Sequence, residues 1–215
     1  MRLNTILGIL LAVLSLPLTA EERPNIILIM VDDMGFSDIG CYGSEIPTPH
    51  LDALAQRGAK FSQFYNTGRC CPTRASLLTG LYSHQAGIGW MTTDQGVPGY
   101  RGALNDNCHT IAEVLGEAGY LTAITGKWHV GYSPTVNPTA RGFLRSLNLE
   151  LGGIHFWNQT GRMASRRLHF NGEQIPRDDP RLSPPWYGSD LWTEQGIKFL
   201  DEARAVKKPL FWYLA

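Results

Sequence analysis

The sequence predicts an α/β fold with a mostly parallel central sheet flanked by helices, and three observations carry that prediction. PNIILIMVDD (24–33) is a continuous apolar run ending in two aspartates, the pattern of a strand buried on both faces of a parallel sheet. Downstream, amphipathic stretches alternate with apolar, β-rich ones: 109–118 precedes YLTAIT, and a stretch from Ser189 to about Ala203 precedes KKPLFWYLA. No internal repeat or low-complexity tract interrupts this alternation.

Thr48 and Pro49 supply an N-cap and a first helical residue for a helix through about Gln56, stopped by Gly58, and KFSQFYN then reads as a strand. Residues 72–79 read as a helix ending at Gly80. In 109–118, Ile111, Val114 and Leu115 share one face and Gly119 follows the helix. From about 131 to 188 the chain is rich in Gly, Pro and Arg with weak periodicity, and reads as loops and short elements. Its aromatics, Phe143, Phe156, Trp157, Phe170, Trp186 and Tyr187, fit core or loop packing. Ser189 N-caps the last helix. Ligands in open α/β sheets sit beyond the carboxyl ends of strands, and the last strand runs to the end of the chain, so 21–215 reads as part of a larger domain.

The 215 residues are 43% hydrophobic, enough for a packed core, and 19 basic residues balance 19 acidic ones. That balance argues against a nucleic-acid partner or a membrane-surface protein, and any anion site must be local. Residues 1–20 have a basic start at Arg2, an apolar run from Ile6 to Leu16 and small residues at Thr19 and Ala20, as in a secretory signal peptide. No later run is long enough to cross a bilayer, so the expectation is an exported protein, periplasmic or extracellular, with no stable membrane anchor.

Cys41, Cys70, Cys71 and Cys108 allow three full pairings and are too few for a disulfide-built scaffold. No CxxC pair occurs and no histidine has ligand-like spacing from Cys70 or Cys71, which argues against zinc. A Cys-x5-Arg phosphatase loop fails too, since Ser76 and Leu77 stand where the arginine belongs. In RCCPTRASLLTG (69–80), Pro72 suits the first turn of a helix, with Cys70 at or just before the N-cap near the positive end of the dipole. Arg74 lies about one turn on and can turn toward an oxyanion. These residues by themselves fit a nucleophile beside an anion site and a buried cysteine pair opening an ordinary helix equally well.

Cys70-x-Pro72-x-Arg74-x-x-x-Leu78-Thr79-Gly80 resembles the sulfatase signature at every defining position. VDDMGFSDIGCYG, PTPHLDALAQRGAKFSQFY, LLTGLYSHQAGIG, GKWHVG, YGSDLW and KKPLFWYLA are similar, in order, to successive blocks of bacterial arylsulfatases of the alkaline-phosphatase-like superfamily. The resemblance spans the chain after the signal peptide but only the N-terminal part of that family's catalytic domain. It implies that Cys70 is oxidised by a formylglycine-generating enzyme to Cα-formylglycine, with Cys71 in a variable position. Asp32 and Asp33, otherwise ordinary turn residues, would ligate Ca2+ together with the modified Cys70 side chain. Lys127 would bind sulfate, Arg74 would stabilise its charge, and His129 would hydrogen-bond the formylglycine. Lys127 and His129 are two residues apart, on the same side if the chain stays extended.

The implied reaction is hydrolysis of a sulfate monoester on a sulfated small molecule or saccharide, the hydrated aldehyde being the nucleophile. A phosphonate or phosphodiester hydrolase on the same scaffold is the alternative of the same chemistry, and a catalytically inactive fragment the alternative of another class. The family's Asp-Asn pair that completes the metal site and its leaving-group histidine have no counterpart before Ala215. His50, His84, His109, His155 and His169 lack catalytic spacing, with His84 close after the signature helix. Leu144 stands where many relatives carry an acid, and Asn158-Gln159-Thr160 matches a glycosylation acceptor.

Overall fold

Apolar strands and amphipathic helices alternate along the chain as strands β1 (Ile26–Ile29), β2 (Leu121–Lys127), β3 (Arg145–Leu149), β4 (Leu168–Phe170), β5 (Glu173–Ile175) and β6 (Leu210–Leu214), with helices α1 (Pro49–Arg57), α2 (Cys70–Thr79), α3 (Ile111–Glu117) and α4 (Gly188–Ala205). The computed structural model describes residues 23–153, 157, 167–176, 178–182 and 186–215. The signal-like segment 1–20, His155, Phe156 and the acceptor at Asn158 lie outside the described residues.

The strands form one sheet in the order β1-β6-β2-β3-β4-β5. β1, β6, β2 and β3 are parallel, and β4 and β5 join antiparallel. The register sets Ile26 against Phe211, Leu121 against Leu210 and Ala123 against Arg145, so the parallel strands end together at one edge. α4 covers one face, where Phe199 and Ala203 pack on Leu121, Ala123, Leu210 and Trp212. α2 and α3 cover the other through Cys71, Ala75, Leu78 and Ala112, which meet Ile124, Phe211, Tyr213 and Phe143. Each large apolar side chain buried here contributes about 2 kcal/mol.

Several local expectations change in the folded chain. β1 is half-exposed, with Ile27 and Ile29 open to solvent, because among the described residues it pairs only with β6 and lies at the sheet edge. KFSQFYN forms no strand: its rings Phe61, Phe64 and Tyr65 are exposed and no neighbouring strand pairs with it. The 131–188 region hides three short strands, β3, β4 and β5, whose few residues carry too little periodicity to be read.

The helix ends also move. α1 runs as expected between Thr48 and Gly58, although the Thr48 hydroxyl accepts from Gly40 N at 2.8 Å instead of capping the helix. α3 begins at Ile111 and not at His109, because Thr110 and Glu113 close a capping box: Glu113 N donates to Thr110 Oγ1 at 3.1 Å and Thr110 N to Glu113 Oε2 at 2.7 Å. Ala112 is its buried residue and Val114 is exposed. The N-cap of α4 is Tyr187, two residues before the expected Ser189.

Candidate active site

The carboxyl ends of the parallel strands deliver the chemistry-bearing residues to one edge of the sheet. Asp32 and Asp33 follow β1, Lys127 is the last residue of β2, and Gly152 follows β3. α2 points its first residue, Cys70, at the same edge, with Arg69 as N-cap in an extended conformation. Pro72 is therefore the third helical residue, still in the first turn as expected, but the helix begins two residues before 72 and Cys70 lies inside it instead of at or before the N-cap. The helix still stops at Gly80 in the left-handed conformation, whose N–H returns to Ser76 O at 2.8 Å.

Two adjoining cavities, of about 570 and 560 Å³, meet at Asp32, Asp33 and Lys127. The first reaches Arg74, Trp192 and Thr193; the second reaches Arg69, Cys70, Met91 and His129. Every residue expected at the site thus lines this joined space. His84 lines neither cavity and instead meets the Tyr100 hydroxyl at 3.1 Å.

Arg74 is fully buried. Its Nη1 donates to Lys127 O at 2.8 Å and to the Tyr213 hydroxyl at 3.2 Å. Nε and Nη2 have no hydrogen-bond partner among the described residues, and Nη2 lies 3.7 Å from Asp32 Oδ2. A buried guanidinium with open donors is costly unless an anion completes it. Burial pushes the Tyr213 hydroxyl up against the opposing pull of Arg74, so Tyr213 stays a neutral acceptor for the guanidinium. Tyr213 was not singled out in the sequence, where it reads as one apolar position in a buried strand.

Lys127 Nζ pairs with Asp32 Oδ2, while no cation among the described residues pairs with Asp33. Asp33 has φ of 56°, a left-handed turn that swings it off the line of β1. Gly126, at φ 101°, lies so close to the end of β6 that an added Cβ would fall 1.7 Å from Ala215 O. Only glycine lets β2 reach the edge there with Lys127 as its final residue.

Lys127 and His129 reach the same cavity, but not because the chain is extended. Trp128 turns into the core, where its indole N–H meets the carbonyls of Gly131 at 2.8 Å and Val136 at 2.9 Å. His129 then adopts φ of 55° and is buried. Gly152 packs on its ring: a Cβ at Gly152 would lie 2.5 Å from His129 Cε1 and 3.1 Å from both ring nitrogens. The only sequence hint of this contact is the Gly152-Gly153 pair in a region of weak pattern.

The fold also reverses the argument against a Cys-His cluster. One ligating atom each from Cys70, Cys71 and His129 lie within 4.8 Å of one another, although 58 residues separate Cys71 from His129 (129 minus 71). Sequence spacing cannot register a contact made between a helix start and a strand end. Cys71 is buried, with Sγ 3.8 Å from Met91 Sδ, and burial followed by the neighbouring Cys70 pushes its thiol up to about 12. All four cysteines are free thiols, so none of the three full pairings forms.

A sequence profile of the sulfatase family matches residues 24–215. The chain is 37% identical over 203 residues to the arylsulfatase of Klebsiella aerogenes, covering 91% of this chain and 42% of that protein. It is 43% identical over 144 residues to human arylsulfatase A, covering 65% of this chain and 28% of that protein. The crystal structure of Ps i-CgsB in complex with k-i-k-neocarrahexaose superposes with a TM-score of 0.75 at 31% identity, covering 90% of this chain and 44% of that one. The phosphonate monoester hydrolase of Agrobacterium radiobacter shares the fold, with a TM-score of 0.55 at 20% identity over 89% of this chain and 40% of that one. The chain spans well under half the length of these relatives, and its six-stranded sheet with helices on both faces has the alkaline-phosphatase-like architecture of its structural neighbours. On the match over 24–215, the chain belongs to the sulfatase family.

Proposed function

We propose that the full-length protein hydrolyses sulfate monoesters at the cavity lined by Cys70. The observation that carries this reading is the convergence of Cys70, Arg74, Lys127, His129, Asp32 and Asp33 on one joined space at the carboxyl edge of the sheet. Two groups known from the family bear on it, and the residues present fit both. Asp32 and Asp33 offer hard carboxylate oxygens to the cavity, a donor chemistry suited to Ca2+. Cys70 borders the same cavity from the start of a helix, where the dipole favours an anion at its side chain. When present, formylglycine at position 70 supplies a hydrated aldehyde as nucleophile, and Ca2+ supplies positive charge to sulfate oxygens.

The chain's own residues do the remaining work. Arg74, held rigidly by Lys127 O and Tyr213, keeps Nε and Nη2 for a developing oxyanion, so this donor needs no reorganisation during reaction. Lys127 adds a second cation beside Asp32. His129, with a ring nitrogen in the Cys70 cluster, takes or returns a proton at the position 70 side chain. The buried flank formed by Tyr213, Trp128 and Phe143 excludes water from behind Arg74 and strengthens these charges.

A sulfated saccharide is the preferred substrate class, since the neighbour Ps i-CgsB carries a bound oligosaccharide. Maturation calls for a formylglycine-generating enzyme. The basic start and apolar run in 1–20 support export to the periplasm or outside the cell. The test is the initial rate of the full-length protein, co-expressed with a maturing enzyme, on 4-nitrophenyl sulfate and on a phenyl phosphonate monoester. Preference for sulfate is expected. Preference for phosphonate would transfer the site to that reaction, and turnover of neither would mark an inactive member of the family.

A further inference from the structure

We propose that, while Cys70 is still a thiol, Cys70, Cys71 and His129 form a binding site for a thiophilic divalent cation of the Zn2+ class. This goes beyond the hydrolytic reading, because it concerns the chain before conversion and uses Cys71, which that reading leaves without a task. Three donors lie within 4.8 Å of one another. Zn2+ at about 2.3 Å from sulfur and about 2.0 Å from nitrogen spans that separation with small side-chain rotations.

The donor set is soft, as thiolates and imidazole are, whereas the carboxylates at Asp32 and Asp33 are hard and belong to a different cation. The two preferences separate the sites chemically even though one cavity serves both. Access is available from that cavity, which is lined by Cys70, Met91 and His129. Cys71 is buried, with its Sγ 3.8 Å from the Sδ of the cavity-lining Met91. Three protein ligands leave a fourth tetrahedral position for water.

Binding forms two metal–sulfur bonds and one metal–nitrogen bond. The two thiol protons pass to solvent, and neither metal nor sulfur changes oxidation state. Both thiolate charges balance the divalent cation, so the buried group is neutral overall beside Arg74 and Lys127. A held Cys70 thiolate is then unavailable to electrophiles and to conversion, which makes metal occupancy and maturation mutually exclusive. Conversion replaces the Cys70 sulfur and dismantles the site.

The test uses the full-length chain expressed without a maturing enzyme and titrated with Co2+ as a spectroscopic probe, then with Zn2+. The expected result is one Co2+ per chain, with a thiolate-to-cobalt charge-transfer band that Zn2+ abolishes. Cys71→Ala should remove about half of that band, one of two thiolates, and His129→Gln should weaken binding at least tenfold, on the order of what supporting groups alone cost. Circular dichroism and Tm establish that each variant is folded, and Cys71→Ser stands in if Cys71→Ala is not. Cys41→Ser and Cys108→Ser should change nothing. Zn2+ should also protect Cys70 from iodoacetamide in the parent chain but not in His129→Gln. No stoichiometric band, or a band that keeps its full intensity in Cys71→Ala or follows Cys41 or Cys108, overturns the proposal. No substrate is present, so the outcome is independent of whether the matured protein hydrolyses sulfate.

Discussion

Arg74 Nη1 donates to the main-chain carbonyl of Lys127 at 2.8 Å, so the guanidinium one turn beyond Cys70 is tied to the strand end that carries the second cation of the site. Helix α2 and strand β2 are thereby tied together at the edge of the cavity proposed to take sulfate. Replacing Arg74 by Lys keeps the charge but loses the planar fork and both fixed hydrogen bonds. The expected outcome is a fall in kcat/KM of at least about a hundredfold, the scale of removing an oxyanion donor. The destabilisation of Arg74→Ala should reach about 3 kcal/mol, read as a shift in the urea midpoint.

Cys70 and Cys71 are adjacent but not equivalent. Cys70 borders the cavity, while Cys71 is buried in the core, where it stays protonated at neutral pH because its thiol is pushed up to about 12. In metal-free unconverted protein, iodoacetamide should therefore alkylate Cys70 and leave Cys71 untouched, as read by peptide mass. In the matured enzyme Cys70→Ala should abolish turnover and Cys71→Ala largely spare it. Equal loss in both would contradict the assignment of Cys70.

Gly152 presses on the His129 ring, with no room for a methyl group. Gly152→Ala should displace the imidazole and lower kcat at least about tenfold, with KM little changed, because the proposed partners of sulfate are Arg74 and Lys127 rather than the imidazole. A shift in the pH dependence of kcat should accompany it. Gly153→Ala, one position on, tests whether a general loosening of the loop is enough; only the Gly152 variant should alter the pH profile.

His169 is buried beside Tyr132, ring centroids 4.4 Å apart, and burial, with a smaller push from Arg167, lowers it to about 4. Its folded value lies below the ordinary imidazole value of 6.5, so the unfolded chain binds the proton first as the pH falls. Stability is fully present above about 6.5 and is lost as pH drops toward about 4. Urea unfolding between these limits should show a slope approaching one proton, and His169→Gln should flatten it.

Glu113 responds in the carboxylate sense. Burial alone would raise it, but Arg141 Nε donates to it at 2.7 Å and the Thr110 N–H joins in, and these lower it. Its contribution is present above the unfolded carboxylate range and is lost on acidification through the lowered folded value. Glu113→Gln should cost about 1–2 kcal/mol at pH 7, because it weakens the α3 capping box and the tie to the loop at Arg141 together.

The sequence alone determined the α/β class, the helices α1, α2 and α4 to within two residues, and the strands β2 and β6. Those elements are written in local terms: Thr48-Pro49 and Gly58, the stop at Gly80, and continuous apolar runs that suit the interior of a parallel sheet. The candidate site residues were also legible, because the Cys70, Asp32 and Lys127 motifs sit in short contiguous blocks. Only the tertiary structure decided that β6, last in the chain, lies between β1 and β2, and hence that Tyr213 meets Arg74 across 139 residues. It likewise decided that Gly152 seats His129 and that His129 reaches both thiols of the α2 start. These contacts join segments whose separation along the chain carries no periodic signal; they exist because parallel strands must cross over before pairing, which gathers their carboxyl ends at one edge regardless of sequence order.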